Sequence, residues 1–169
     1  MKKFIFTLLM CITCIFAANA QKFALIDMEY ILKNIPAYQQ AVNELDQASQ
    51  QYQKAIDAKR KEAETLYKAY QQASNTMSAT QKTQKEEAIV AKEKEAAELR
   101  QRYFGPDGEM AKKQEALITP IQDKIYEIVK QISIQRNYDA VIDRASATSI
   151  IFASPRIDIS QEVLSKLGY

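Results

Sequence analysis

The sequence predicts a mainly α-helical protein with a small β-sheet, an α+β chain in which a long antiparallel helical hairpin extends from a small β-rich body. Three observations carry this. From Ala37 to Phe104 the chain has no glycine or proline. Within that run, steps of alternately four and three residues from Tyr38 land on Val42, Leu45, Ser49, Tyr52, Ile56, Lys59, Ala63, Leu66, Tyr70, Ala73 and Met77. Only Ser49 and Lys59 among these are polar. Short β-branched runs flank this segment at both ends of the chain. A 3.5-residue period keeps one narrow seam on one side of a helix, which suits helix-on-helix pairing. A globular core would need a wider stripe.

The N-terminus reads as a secretory signal, residues 1–20. Lys2 and Lys3 precede an apolar stretch from Phe4 to Ala17, and Ala18-Asn19-Ala20 is a small-x-small cleavage site with Gln21 as the first mature residue. The approaches to Cys11 and Cys14 do not suit a lipidated cysteine. Both cysteines leave with the signal, and the chain has no histidine. Thiol nucleophiles, thiolate metal sites and disulfides are thereby excluded from the mature chain. Losing Lys2 and Lys3 takes the 23 basic residues to 21, equal to the 21 acidic ones. That balance argues against nucleic acid as a partner. No later segment is apolar enough to span a membrane. A periplasmic location is the expectation.

Lys22-Phe23-Ala24-Leu25-Ile26-Asp27 reads as a strand. Glu29 to Ile35 reads as one or two helical turns, closed by Pro36 because the residue before proline disfavours helix. The long helix begins near Ala37. Its turn is expected at the cluster of small polar residues from Ser74 to Thr80, with Thr80 capping the return. About forty residues at 1.5 Å rise give an arm of roughly 60 Å. Charged pairs such as Asp57 with Lys61 and Glu64 with Lys68 decorate a solvated face.

Phe104-Gly105-Pro106-Asp107-Gly108-Glu109 should break or kink the returning helix. It lacks the Gly-Lys-Ser/Thr ending and the preceding strand of a phosphate-binding loop. The kink is expected to act as a hinge that alanine replacements would stiffen. The helix resumes at Met110 through Leu117, Ile121, Ile125, Ile128 and Ile132, with Pro120 as a further bend, and ends at Asn137. Asp139 to Asp143 and Ser149 to Ala153 read as two more strands. Asp158 or Ser160 caps a last helix with Ile159, Val163, Leu164 and Leu167 on one face. The division is thus a body from residues 21–36 and 121–169, and an arm from 37–120. So small a sheet buries little apolar surface, and packing between copies is the natural remedy. Phe23, Leu25, Val141, Ile142, Ile150 and Phe152 are the candidate oligomer contacts.

No cofactor, metal site or catalytic group is expected. Asp27, Asp139 and Asp143 converge on paper at strand ends, where aspartates ordinarily cap turns. No serine sits in a nucleophile elbow. Tyr52, Tyr67, Tyr70 and Met77 are candidate contacts for a bound chain, because tyrosine offers large contact area and methionine is plastic. Tyr52 and Tyr70 lie on the counted seam and equally suit filling it. Tyr67 lies beside it.

The order of elements resembles the Skp (OmpH) family of periplasmic chaperones. The resemblance rests on Lys22 to Asp27 leading to Ile35-Pro36, the long hairpin, Asn137 to Asp143, and Asp158-Ile159-Ser160 with Val163-Leu164. It implies a homotrimer joined through its body. It also implies three helical arms that hold unfolded outer-membrane β-barrel proteins without ATP. One departure concerns charge. Residues 37–120 hold thirteen basic and thirteen acidic side chains, so long-range steering should be weak. This argues against lipopolysaccharide binding. A structural coiled-coil tether of the cell envelope, docking one fixed partner, is the competing reading.

Overall fold

The computed structural model describes residues 21–147 and 149–169. The proposed signal segment lies outside them. Two compact units divide the chain: residues up to Asn34 with Lys124–Tyr169, and Ile35–Asp123.

In the first unit, β1 (Phe23–Ile26) pairs in parallel with β2 (Ala140–Asp143), Phe23 opposite Ala140 and Ile26 opposite Asp143. Ala24, Leu25 and Ile26 are all buried. Burial on successive residues is the habit of a parallel strand covered on both faces. Asp27 ends β1 and caps α1 (Met28–Lys33): its Oδ1 accepts from the Tyr30 N–H at 2.8 Å. That bond holds its carboxyl below the ordinary carboxylate range, with Arg144 assisting. Ile31 is the buried residue of α1.

The helix that precedes β2 is α4 (Glu109–Arg136). In this unit it buries Ile125 and Ile132, seven residues apart. Asn137 stops it in the left-handed region at φ 54°. The Tyr138 N–H then bonds the Ser133 carbonyl at 2.9 Å, and the Asn137 N–H the Ile134 carbonyl at 3.4 Å. This satisfies carbonyls that a helix end leaves open, and asparagine tolerates the conformation.

The last helix, α5 (Ser160–Leu167), packs against α1 through its Ile159, Val163 and Leu164 face. Of the two expected caps, Asp158 serves the helix start: its Oδ1 accepts from the Ser160 N–H at 2.9 Å. Ile159 occupies the cap position without a side-chain bond. Ser160 is buried instead, and its hydroxyl accepts from the Asp27 N–H at 2.8 Å while donating to Asp158 Oδ1 at 2.6 Å. It joins the two ends of the chain rather than capping a helix.

The third strand expected at Ser149–Ala153 is not formed. A strand needs an edge whose N–H and C=O groups are free. One edge of β1 is taken by β2. On the other, Asp158 bridges to Leu25 and the Ile159 N–H bonds the Leu25 carbonyl at 2.8 Å. The segment therefore has no partner edge on β1. Ile151 is 101% and Phe152 84% exposed. Of the other candidate oligomer contacts, Leu25 is buried, Val141 and Ile150 are half-buried, and Phe23 and Ile142 are exposed.

The second unit is the hairpin. Pro36 opens α2 (Pro36–Ala73) at its first turn, where the missing N–H costs nothing. A short 3₁₀ turn at Ser74–Thr76 follows, and then α3 (Ala79–Phe104). Ser78, not Thr80, caps α3. Its hydroxyl accepts from the Gln81 N–H, and the Gln81 side chain accepts from the Ser78 N–H. This reciprocal pair satisfies two donors at once.

Candidate functional site

The hairpin surface is the candidate site, and its seam decides which side chains remain outside. Along α2 the buried positions are Ala41, Ala48, Ile56 and Ala63. Leu45, Tyr52, Lys59, Leu66, Tyr70, Ala73 and Met77 are half-buried. Near its start the seam is displaced by one residue from the counted one. Ala41 and Ala48 are buried, while Val42 is 40% exposed and Ser49 half-buried. A straight helix drifts against a strict heptad, and alanine permits close approach. On α3, Ile89 and Ala96 are buried, with Lys92, Leu99 and Tyr103 half-buried.

Lys59 looked like a defect in the repeat. It belongs to a closed square of ion pairs across the seam. Lys59 meets Glu95 at 3.0 Å and Glu62 at 3.5 Å, while Lys92 meets Glu62 at 3.2 Å and Glu95 at 3.1 Å. Hydrogen bonds from Lys92 to Glu62, and from Lys59 to Glu95, lower both carboxyls below their ordinary 4.5. The same contacts, Glu95 first, raise Lys92 above 10.5. A carboxyl lowered on folding stabilises the fold above its unfolded pKa and ceases to do so as pH falls through the folded value. The raised lysine contributes below its unfolded pKa and is lost only as pH rises through the higher value. The hairpin melting temperature should therefore be level from about pH 6 to 9 and drop from about pH 5 to 3. In Glu62→Gln/Glu95→Gln that acid-side drop should shrink. Equal drops in the two proteins, followed by circular dichroism, would remove the square from the hairpin's stability.

Where α3 meets α4, an aromatic cluster closes the seam. Tyr52 stacks on Tyr103 with ring centroids 4.1 Å apart and meets Phe104 edge-on at 6.3 Å. Arg102 reaches across the Gly105–Gly108 turn to Glu109 at 2.7 Å. The Tyr52 hydroxyl titrates above its ordinary range, first through desolvation and then through its hydrogen bond to Glu109. Lys113 of α4 pairs with Glu44 of α2. Tyr70 donates to Glu86 across the hairpin. Tyr52 and Tyr70 thus make contacts between the hairpin helices. Tyr67 is 49% exposed, and Met77 is half-buried beside the tip.

One face of the hairpin carries two cavities that share Arg60 and Arg100. The larger, about 730 Å³, is lined by Ser49, Gln50, Gln53, Lys54, Ile56, Arg60, Arg100 and Phe104. The other, about 420 Å³, adds Ala63, Glu64, Tyr67, Glu93, Ala96 and Ala97. Sequence reasoning missed Arg60, Arg100 and Phe104. Their assembly depends on which residues of α2 and α3 lie opposite one another. Ala58, Lys61, Glu62, Thr65, Leu66 and Lys92 line a separate open cavity of about 550 Å³ beside the ion-pair square.

The strand-end aspartates do not converge. Asp139 accepts from the Lys22 N–H at one end of the sheet. At the other, Asp143 accepts from the Met28 and Ala145 N–H groups, and Asp27 and Asp158 both pair with Arg144. They hold turns and an arginine. No group of acidic side chains suited to a metal ion occurs among the described residues. No helix is long and apolar enough to cross a membrane among those residues.

Comparison with known proteins gives three results. A crystal structure of an OmpH-like protein from Caulobacter crescentus CB15, described as a candidate outer membrane chaperone, matches with a TM-score of 0.66 at 14% identity, covering 89% of this chain and 86% of that one. This is a likeness of fold. No curated protein sequence matches. The profile of the family described as Outer membrane protein (OmpH-like) matches residues 22–167. That span takes in the strand at one end, the whole hairpin and the last helix, and the chain belongs to the OmpH-like family.

Proposed function

We propose that this protein is a periplasmic holding chaperone. It binds unfolded outer-membrane β-barrel proteins between helical arms, without ATP and without a catalytic step, and so prevents their aggregation. The observation that carries this reading is the hairpin surface. Tyr67, Val90 and Phe104 stay exposed on a pair of helices whose seam is already filled. Large apolar groups left on such a scaffold suit weak, spread contacts with a chain of no fixed shape. Family membership supports it, as does the description of the Caulobacter relative.

The proposed working form is a homotrimer joined through the body. Ile151 and Phe152 are exposed in the unit that holds the two-stranded sheet, and a second copy would remove them from water. Native mass spectrometry of residues 21–169, mixed with a urea-unfolded β-barrel protein diluted into buffer, tests both parts. A trimer carrying one barrel chain is expected, together with suppressed light scattering from the barrel. A trimer that ignores the barrel would favour the tethering role, and a monomer would overturn the assembly.

A further inference from the structure

The even charge of the hairpin conceals a segregation. The larger cavity is lined by Lys54, Arg60 and Arg100 and by no acidic residue. Among the described residues none of these three makes an ion pair; Lys61, Lys82 and Lys85 make none either, but they lie outside this cavity, and Lys59, Lys68, Lys92, Lys94 and Arg102 of the same helices are paired. In the adjoining cavity Glu64 is held by Lys68, and Glu93 stands at the Tyr67 end. Exposed apolar groups lie on this same face. Phe104 and Tyr67 line its two ends. Val90 lies one turn from Glu93 and two from Ala97, which places it on that side of α3. Of the hairpin's exposed large apolar residues, only Val42 falls outside this set.

We infer that the face bearing Lys54, Arg60 and Arg100, bounded by Phe104 and Tyr67, is the strip that grips the bound chain, and that it selects extended segments in which carboxylates alternate with aromatic side chains. This rests on the chaperone reading and says which face does the holding. Free guanidiniums recruit carboxylates in forked geometry, and the flanking aromatic groups take apolar or aromatic side chains. From Ser49 to Tyr67 the helix rises roughly 27 Å, the length of about eight extended residues. A balanced arm can therefore still discriminate by charge at short range, where salt screening is incomplete.

The test uses the mature protein and two fluorescent dodecapeptides, one repeating Tyr-Tyr-Asp-Asp and one repeating Tyr-Tyr-Lys-Lys. Each pattern presents both residue types on both sides of an extended chain. The acidic peptide should bind, the basic one should not, and added salt should weaken binding. Arg60→Gln/Arg100→Gln should lose affinity roughly tenfold with an unchanged circular dichroism spectrum. Lys61→Gln, on the cavity beside the ion-pair square, should bind as wild type. Equal binding of both peptides, or of wild type and the double glutamine variant, overturns the inference. So does a wild type that ignores both peptides but binds phosphatidylglycerol vesicles through Arg60 and Arg100, since the strip would then serve a lipid surface. If the double variant misfolds, Arg60→Gln alone, at an exposed position, carries the same comparison. Light scattering with the unfolded barrel separates the two readings. Suppression by a protein indifferent to Arg60 and Arg100 sinks the strip alone. No suppression by wild type sinks the chaperone reading.

Discussion

Replacing Ile56 with alanine should destabilise the hairpin by about 2–5 kcal/mol, the usual cost of emptying a fully buried isoleucine site. Ile56 is 1% exposed, and it is the one large side chain of the second unit among the fully buried set. Its neighbours along the α2 seam are small or half-buried: Ala48, Tyr52, Lys59 and Ala63. Alanine seams bring helices close but bury little area per residue, so hydrophobic stabilisation is concentrated at the few large positions. Urea denaturation followed by far-ultraviolet circular dichroism would read the loss. The comparison is Val42→Ala, at an exposed position, expected to change stability by no more than about 0.5 kcal/mol. Equal effects at the two sites would mean that the seam does not hold the hairpin together. Ile56 also floors the larger cavity, so the same change should weaken peptide binding.

Replacing Gly108 with alanine should lower the hairpin's melting temperature, at a cost of about 1–3 kcal/mol. An added methyl group would lie 2.8 Å from the Tyr103 carbonyl oxygen, 2.9 Å from that of Arg102 and 2.9 Å from the Gly105 nitrogen. All three are backbone atoms and cannot swing aside. At Gly105 it would meet the Gln101 carbonyl oxygen at 2.3 Å. The sequence suggests that alanine here would stiffen the arm; the contacts at Gly105 and Gly108 add that alanine would also strain the turn. The Arg102–Glu109 pair spans the turn, and the Tyr52–Tyr103 stack lies beside it. Pro106→Ala serves as the control, since Pro106 is exposed and its loss acts mainly by loosening the unfolded chain, by about 0.4–1 kcal/mol. A higher melting temperature for Gly108→Ala would mean that stiffening outweighs the strain.

These two residues show what was legible beforehand. The heptad marks Ile56 as a seam residue because helical period is a local property of the chain. The glycine pair marks a break for the same reason. Neither pattern reveals that a carbonyl stands where the Gly108 side chain would go. Likewise Lys59 reads as an interruption until Glu62, Lys92 and Glu95 are seen around it. Tyr52 and Tyr70 were readable as seam residues, but their partners Tyr103 and Glu86 were not. The run Ser149–Ala153 has strand composition and no strand, because composition does not fix pairing: β1 takes β2 on one edge and Asp158 on the other, and the segment does not add to β2. Ser160 reads as a helix cap and instead joins β1 to Asp158.

By itself the sequence determined the period of the long helices, the turn near Ser74, the break at Gly105–Gly108, the strand at Phe23–Ile26 and the family. Each follows from interactions within a few residues, or from a pattern spread over the whole chain. Only the tertiary structure decided the ion-pair square, the Arg102–Glu109 pair across the turn, the two-stranded parallel sheet and the gathering of Lys54, Arg60 and Arg100 on one face. Those depend on which residues of α2 and α3 stand opposite one another, and on which backbone edges are already occupied. Both are set by packing between segments far apart in the chain, where periodicity carries no register.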